Sequence, residues 1–157
     1  HRVVNASVSG DTTAGGLTRL PPLIERHHPA VLLIELGAND GLRGFGFDQI
    51  RDSLVRLVRL GRDAGAQVLL VGTRLPPNYG AGYAKRFQAL FAEVAEAEGA
   101  GLVPRLLAGV AEEWELMQAD DLHTTAAAQQ RLLANVWTDL EPQVQDTRPT
   151  ETPQALP

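Results

Sequence analysis

Short apolar runs alternate with stretches of helical periodicity from one end of the chain to the other. Strands that alternate regularly with helices pair in parallel, because each crossover helix carries the chain back to the end of the sheet where the previous strand began. The pattern therefore dictates βα units around a parallel sheet. The runs "VVNAS" (3–7), "AVLLIEL" (30–36), "AQVLLVG" (66–72) and "GLVP" (101–104) read as strands, the second of them buried on both faces. Phe47, Ile50, Leu54, Leu57 and Gly61 recur at spacings of three and four, which predicts an amphipathic helix over 48–64. Tyr83, Phe87, Leu90, Val94 and Ala97 mark a second helix, ending near Gly99 as a C-terminal glycine would have it. A weaker helix is expected around 17–28, kinked or started late by Pro21 and Pro22. The last helix, 125–140, carries Gln129, Leu132, Leu133, Val136 and Leu140 along one side. From Pro142 onward four prolines and little apolar content predict a disordered tail, leaving 1–141 as one domain without internal repeats.

Composition narrows the function classes. At 157 residues and 44% hydrophobic content the chain suits a single domain, which buries roughly 70% of the surface its unfolded form exposes. The net charge of -5 is scattered, and no basic block exists to neutralise a run of phosphates, so no nucleic acid partner is expected. Without cysteine there is neither a disulfide framework nor a thiolate metal site. The longest apolar run, "AVLLI", is far too short to span a bilayer, and stable membrane insertion is not expected.

Three places carry residues suited to chemistry. In "ADDLHTT", Asp120 and His123 stand three apart before a helix, a spacing at which a carboxylate can fix the imidazole tautomer and leave Nε2 as a general base. A capping acid beside a surface histidine would look the same, and Asp121 competes for the role. In "ELGANDGLRGF", Asn39 follows a strand end, where open parallel sheets bind ligands, and its amide could donate to an oxyanion. A plain Asn-Asp-Gly turn is the structural alternative. In "NASVSGDTTAGG", Gly10 follows the first run and can present a backbone N–H to the same place. These are the parts of an acyl-transfer site without its attacking oxygen. His27 and His28 read as a solvated helix end, and Trp114, Trp137 and Phe87 as core or rim aromatics.

Taken together, "VVNASVSGDT…GLTRLPPLI", "LIELGANDGLRGF", "RLPPNYG" and "LMQADDLHTTAAAQ" resemble, in order, successive blocks of the SGNH (GDSL) hydrolases, in particular the bacterial thioesterase I, lysophospholipase and arylesterase group. The resemblance implies a three-layer α/β/α sandwich with a flavodoxin-like parallel sheet. It also implies a serine esterase or thioesterase acting on carboxylic esters or acyl thioesters without metal or organic cofactor. Gly10 and Asn39 match the oxyanion donors, and Asp120 and His123 the acid and base of the triad. Thr12 is then a helix-start residue, not a nucleophile. The family's serine belongs to an earlier Gly-Asp-Ser-Leu block on a first, interior strand, which is expected upstream of His1 together with a secretion signal, so that the protein is periplasmic or secreted. Ser53, in "RDSLVR", imitates that block but falls mid-helix, and Ser7 and Ser9 flank the oxyanion glycine and are expected to hold its loop. The fifth block departs slightly, with Asp121 and Thr124 where many members have Gly and Pro. Leu42, Phe45, Leu75 and Tyr79 are expected to line an acyl pocket, and the protein is expected to be a monomer. The competing expectation is a non-catalytic ester-binding pseudoenzyme, or a nonfunctional fragment.

Overall fold

The computed structural model of the chain describes residues 2–147. Its elements run α1 (Thr13–His27), β1 (Val31–Ile34), α2 (Ala38–Leu42), α3 (Phe47–Asp63), β2 (Gln67–Val71), α4 (Ala81–Glu98), β3 (Gly101–Val103) and α5 (Gln129–Asp146). The three strands form one parallel sheet in the order β1-β2-β3, with Leu33 level with Leu69 and Leu70 level with Leu102.

Strand alternation sorts the sheet residues between two cores. Ile34, Val68 and Leu70 face the larger one, against Ile50, Leu54, Leu57 and Val58 of α3, Phe87, Leu90, Phe91 and Val94 of α4, and Leu20 of α1. Leu69, Val71 and Val103 face the smaller one, where Val136 and Leu140 of α5 pack against them. This makes an α/β/α sandwich with three long helices on one face and one on the other. Burying each large apolar side chain of the α3 and α4 stripes contributes roughly 1.5–3 kcal/mol, so these two helices together fasten the larger core.

Several expectations change. Residues 3–7 form no strand, and Val3 is 90% exposed. Extended backbone persists in a sheet only where its N–H and C=O groups find a ladder, and among the described residues no strand pairs with this segment or with the outer edge of β1. β1 is not buried on both faces: Leu33, level with buried Leu69, is 44% exposed because α5 covers only β2 and β3 on that side. Leu133 is exposed for the same reason, since the sheet below α5 is too narrow to receive a full helical face. In α4 the buried position near the end is Ala95 and not Ala97.

α1 starts earlier than its periodicity alone predicts, directly after Thr12, and runs through Pro21 and Pro22, its missing backbone bonds offset by the packing of Leu20 and its neighbours. His28 adopts a left-handed conformation as its C-cap, which confirms the helix-end reading of the His pair. Gly99 caps α4 as expected. α5 continues through Pro142 to Asp146, so the segment 142–146 is helical and not tail; 148–157 lie outside the described residues.

Candidate active site

The first part of the site is the turn leading into α1. Gly10 has φ +75°, a conformation that suits a residue without Cβ, and the Asp11 N–H donates to the Val8 carbonyl at 3.3 Å. Thr12 is the N-cap of α1, its hydroxyl accepting from the Gly15 N–H at 3.2 Å, as expected of a helix-start residue. The hydroxyls of Ser7 and Ser9 make no hydrogen bond among the described residues, so they do not hold the loop. Arg19 does that: it donates through Nε (2.9 Å) and Nη2 (2.5 Å) to Asp11 Oδ2 and through Nη1 to the Ala6 carbonyl at 2.7 Å. A planar guanidinium reaches both partners at once, where a short hydroxyl would reach one.

The second part is α2, at the carboxyl end of β1. Asn39 Nδ2 donates to the Asp11 carbonyl at 2.9 Å, and Arg43 Nη2 donates to the Gly10 carbonyl at 3.2 Å. The fold thus brings Gly10 and Asn39 together. A carboxamide has two N–H groups; one is spent on Asp11, which fixes the amide and leaves the other to donate elsewhere. The helix itself is seated on the core through Gly41, where a Cβ would lie 2.8 Å from Phe87 Cε2 and 3.0 Å from Leu75 Cδ2. Tyr83 and Tyr79 donate their hydroxyls to the Gly41 and Leu42 carbonyls at 3.1 and 2.9 Å.

The third part is an exposed loop after β3, drawn together by a bridge between Met117 and Thr124. Asp120 Oδ2 lies 2.6 Å from His123 Nδ1, and Asp120 Oδ1 accepts from the N–H groups of Leu122 and His123 at 3.0 Å each. Asp121 turns the chain with φ +54°, and the carboxylate touching the ring is that of Asp120. The His123 ring first, then the two N–H groups, hold the Asp120 carboxyl well below the usual carboxylate range. With Nδ1 engaged, Nε2 is the nitrogen left to exchange a proton. Among the described residues no hydrogen bond or ion pair ties this loop to Gly10 or Asn39.

The expected pocket residues divide. Leu75 is only 4% exposed and belongs to the core under Gly41, not to a pocket wall. Leu42 and Phe45 are half-buried against the same core, and Tyr79 stands at the surface. Ser53 sits inside α3 and, among the described residues, makes no hydrogen bond to His123. Trp114 is 82% exposed, on the loop that leads to Asp120. A surface cavity of about 310 Å³ between α4 and β3 is lined by Lys85, Gln88, Phe91 and Leu102 among others, and one of about 110 Å³ by Thr73, Arg74, Arg105 and Glu112 among others. Neither includes a candidate residue, and the hydrogen-bond geometry is the better guide to chemistry here than concavity. The sequence reading missed Arg19 and the buried pair Thr13 and Asp40, each 1% exposed. Position beside Asn39 was the one available signal for Asp40.

The profile of the GDSL-like Lipase/Acylhydrolase family matches residues 1–131. The chain belongs to that family. It is 51% identical over 142 residues to the esterase TesA of Pseudomonas aeruginosa, covering 90% of this chain and 71% of that protein. It is 42% identical over 127 residues to thioesterase 1/protease 1/lysophospholipase L1 of Escherichia coli, covering 81% of this chain and 61% of that protein. A crystal structure of TesA superimposes with a TM-score of 0.88 at 51% identity, over 90% of this chain and 79% of that one. The GDSL chain described here thus shares the SGNH-hydrolase fold and spans between three-fifths and four-fifths of these relatives.

Proposed function

We propose that the protein is a serine esterase or acyl thioesterase whose nucleophile lies in polypeptide preceding His1. The observation that carries this reading is the 2.6 Å contact between Asp120 Oδ2 and His123 Nδ1, which orients a ring with its Nε2 free. In the reaction, Nε2 takes the proton of the attacking serine hydroxyl as the hydroxyl oxygen bonds to the acyl carbonyl carbon. The oxyanion that forms is held by the Gly10 N–H and the second N–H of Asn39. Collapse of the adduct breaks the bond to the alcohol or thiol, which leaves with the proton from Nε2. Water then repeats the sequence and releases the acid. Asp120 stays ionised throughout and stabilises the imidazolium.

The placement of the serine outside this chain is supported by two observations. The outer edge of β1 has no partner among the described residues, and Leu33, Leu133 and Trp137 leave apolar surface open on the α5 face. A further βα unit would pair the one and cover the other. Small acyl esters and thioesters are the proposed substrates, on the strength of the relatives' names, and a monomer in the periplasm or the medium is proposed from the resemblance in sequence alone.

Fluorophosphonate labelling followed by peptide mapping tests this. The protein expressed from its complete reading frame is expected to be labelled on one serine upstream of His1 and to hydrolyse p-nitrophenyl acyl esters, and His123→Ala is expected to abolish turnover. The 157-residue chain alone is expected to do neither. No labelling of the complete protein would favour the pseudoenzyme. Labelling of Ser7, Ser9 or Ser53 would overturn the assignment of the nucleophile.

A further inference from the structure

Asp40 is a carboxylate that the proposed reaction does not use, yet it is 1% exposed. A buried charge persists only when its oxygens are hydrogen-bonded. Both are: Oδ2 accepts the Thr13 N–H at 2.9 Å, and Oδ1 accepts the Thr13 hydroxyl at 2.6 Å. Thr13 is the first residue of α1, three beyond Gly10, and is itself 1% exposed. The neighbouring Asn39 grips the same turn by donating to the Asp11 carbonyl at 2.9 Å. Two consecutive residues of α2 therefore hold Asp11 and Thr13, on either side of the helix cap. α2 is itself seated close on the core at Gly41, beside Phe87 and Leu75, and its carbonyls at Gly41 and Leu42 accept the Tyr83 and Tyr79 hydroxyls.

We propose that Asp40 is a positioning residue for the oxyanion pocket, its buried carboxylate fastening the turn that bears Gly10 to the helix that bears Asn39, so that the two donors keep one spacing. This rests on the reading of Gly10 and Asn39 as the oxyanion donors. The two bonds to a single residue fix both the distance and the rotation of the α1 terminus. The carboxylate makes them charge-assisted, hence shorter and stronger than bonds between neutral groups. Without Asp40 the turn would be tied to α2 only by the Asn39 bond to the Asp11 carbonyl and the exposed Arg43 bond to the Gly10 carbonyl, and could pivot about them. With that pivot the Gly10 N–H would sweep away from the place where the oxyanion forms, and misplacement by about 1 Å costs on the order of a hundredfold in rate.

The test uses the protein from its complete reading frame and compares Asp40→Ala, Asp40→Asn, Thr13→Val and Thr13→Ser. Thr13→Val keeps the shape and the N–H and removes the hydroxyl, and Thr13→Ser keeps both donors. Thr13→Val and Asp40→Ala are expected to lower kcat on a p-nitrophenyl ester by roughly ten- to a hundredfold, with KM changed less than about twofold. Asp40→Asn is expected to fall between, since its oxygen can serve the N–H while its NH2 faces the hydroxyl. Thr13→Ser is expected to restore wild-type kcat. Lowered thermal stability with kcat intact at 25 °C in Thr13→Val would overturn the proposal, whether or not Asp40→Ala folds. His123→Ala in the same protein separates the two readings: turnover that survives it sinks the site assignment, whereas turnover lost in His123→Ala but kept in Thr13→Val sinks Asp40 alone. Independently of turnover, the Asn39 side-chain amide signals in a nitrogen-15 spectrum are expected to shift in Thr13→Val, and unaltered signals would also overturn the proposal.

Discussion

Gly41→Ala is the sharpest test of how α2 is held. A Cβ built at this position lies 2.8 and 3.0 Å from Phe87 Cε2 and Cδ2 and 3.0 Å from Leu75 Cδ2. Contacts this short force something to shift. Phe87 is 0% exposed and Leu75 is 4% exposed, so neither ring nor methyl has open space to enter. Overpacking of this kind costs about 1–3 kcal/mol, against which alanine returns up to about 1 kcal/mol of helix propensity over glycine. The net expectation is a destabilisation of about 1–2 kcal/mol, or a fall in Tm of roughly 2–8 °C for a chain of this size. Gly82→Ala is the control: it lies within α4, its Cβ would meet nothing within 4 Å, and it is expected to raise stability by up to about 1 kcal/mol. Urea unfolding of the two variants beside the wild type, with unchanged m-values, reads both signs. A Gly41→Ala protein as stable as Gly82→Ala would refute the claim that α2 is seated by backbone contact with Phe87.

The Asp120 carboxyl is expected to titrate below the ordinary aspartate value of about 3.9 when followed by carbon-13 NMR. His123→Ala removes the largest cause and is expected to move the step back up. Because the folded value is depressed, whatever the hydrogen bonds to the Asp120 carboxylate add to stability is present above the unfolded value and is lost as pH falls through the folded one; an Asp120 titration step at or above the ordinary aspartate value would contradict this origin. Ser53→Ala is expected to leave fluorophosphonate labelling and ester turnover of the complete protein unchanged, since the residue lies inside α3 and makes no hydrogen bond to His123. A loss of labelling would restore it as a nucleophile.

Periodicity made α3, α4, β2 and β3 legible because each buries a regular stripe or run, and burial is what periodicity encodes. It failed where partners decide. "VVNAS" has strand composition yet forms no strand, because pairing is a property of two segments and one segment's letters do not record it. Periodicity placed the start of α1 too late because Pro21 and Pro22 weigh against a helix locally, while Leu20 buried in the larger core and the Thr12 cap outweigh them. In the site, Asp120 and His123 could be read because their contact spans three residues. Leu75 was misassigned to the pocket because an apolar residue in a loop has the same letter whether it faces substrate or the core. Asp40 was hidden for a related reason: hydrophobic patterns do not mark a buried acid, and its partner Thr13 is 27 residues away.

The two halves of the candidate site are held in opposite ways. Asp120 and His123 are largely exposed and organise each other through bonds within one turn, so their mutual geometry owes little to the rest of the fold. Gly10 and Asn39 come from distant segments, and their spacing depends on buried bonds from α2 and on the seating of α2 against Phe87. A general base can tolerate such exposure, since it must follow a proton from nucleophile to leaving group. Oxyanion donors cannot, because their contribution depends on being aimed before charge develops and on needing no rearrangement when it does. In the proposed reaction, rigidity is thus concentrated where the oxyanion would form, and it is built in part from a buried carboxylate, Asp40, to which no chemical step is assigned.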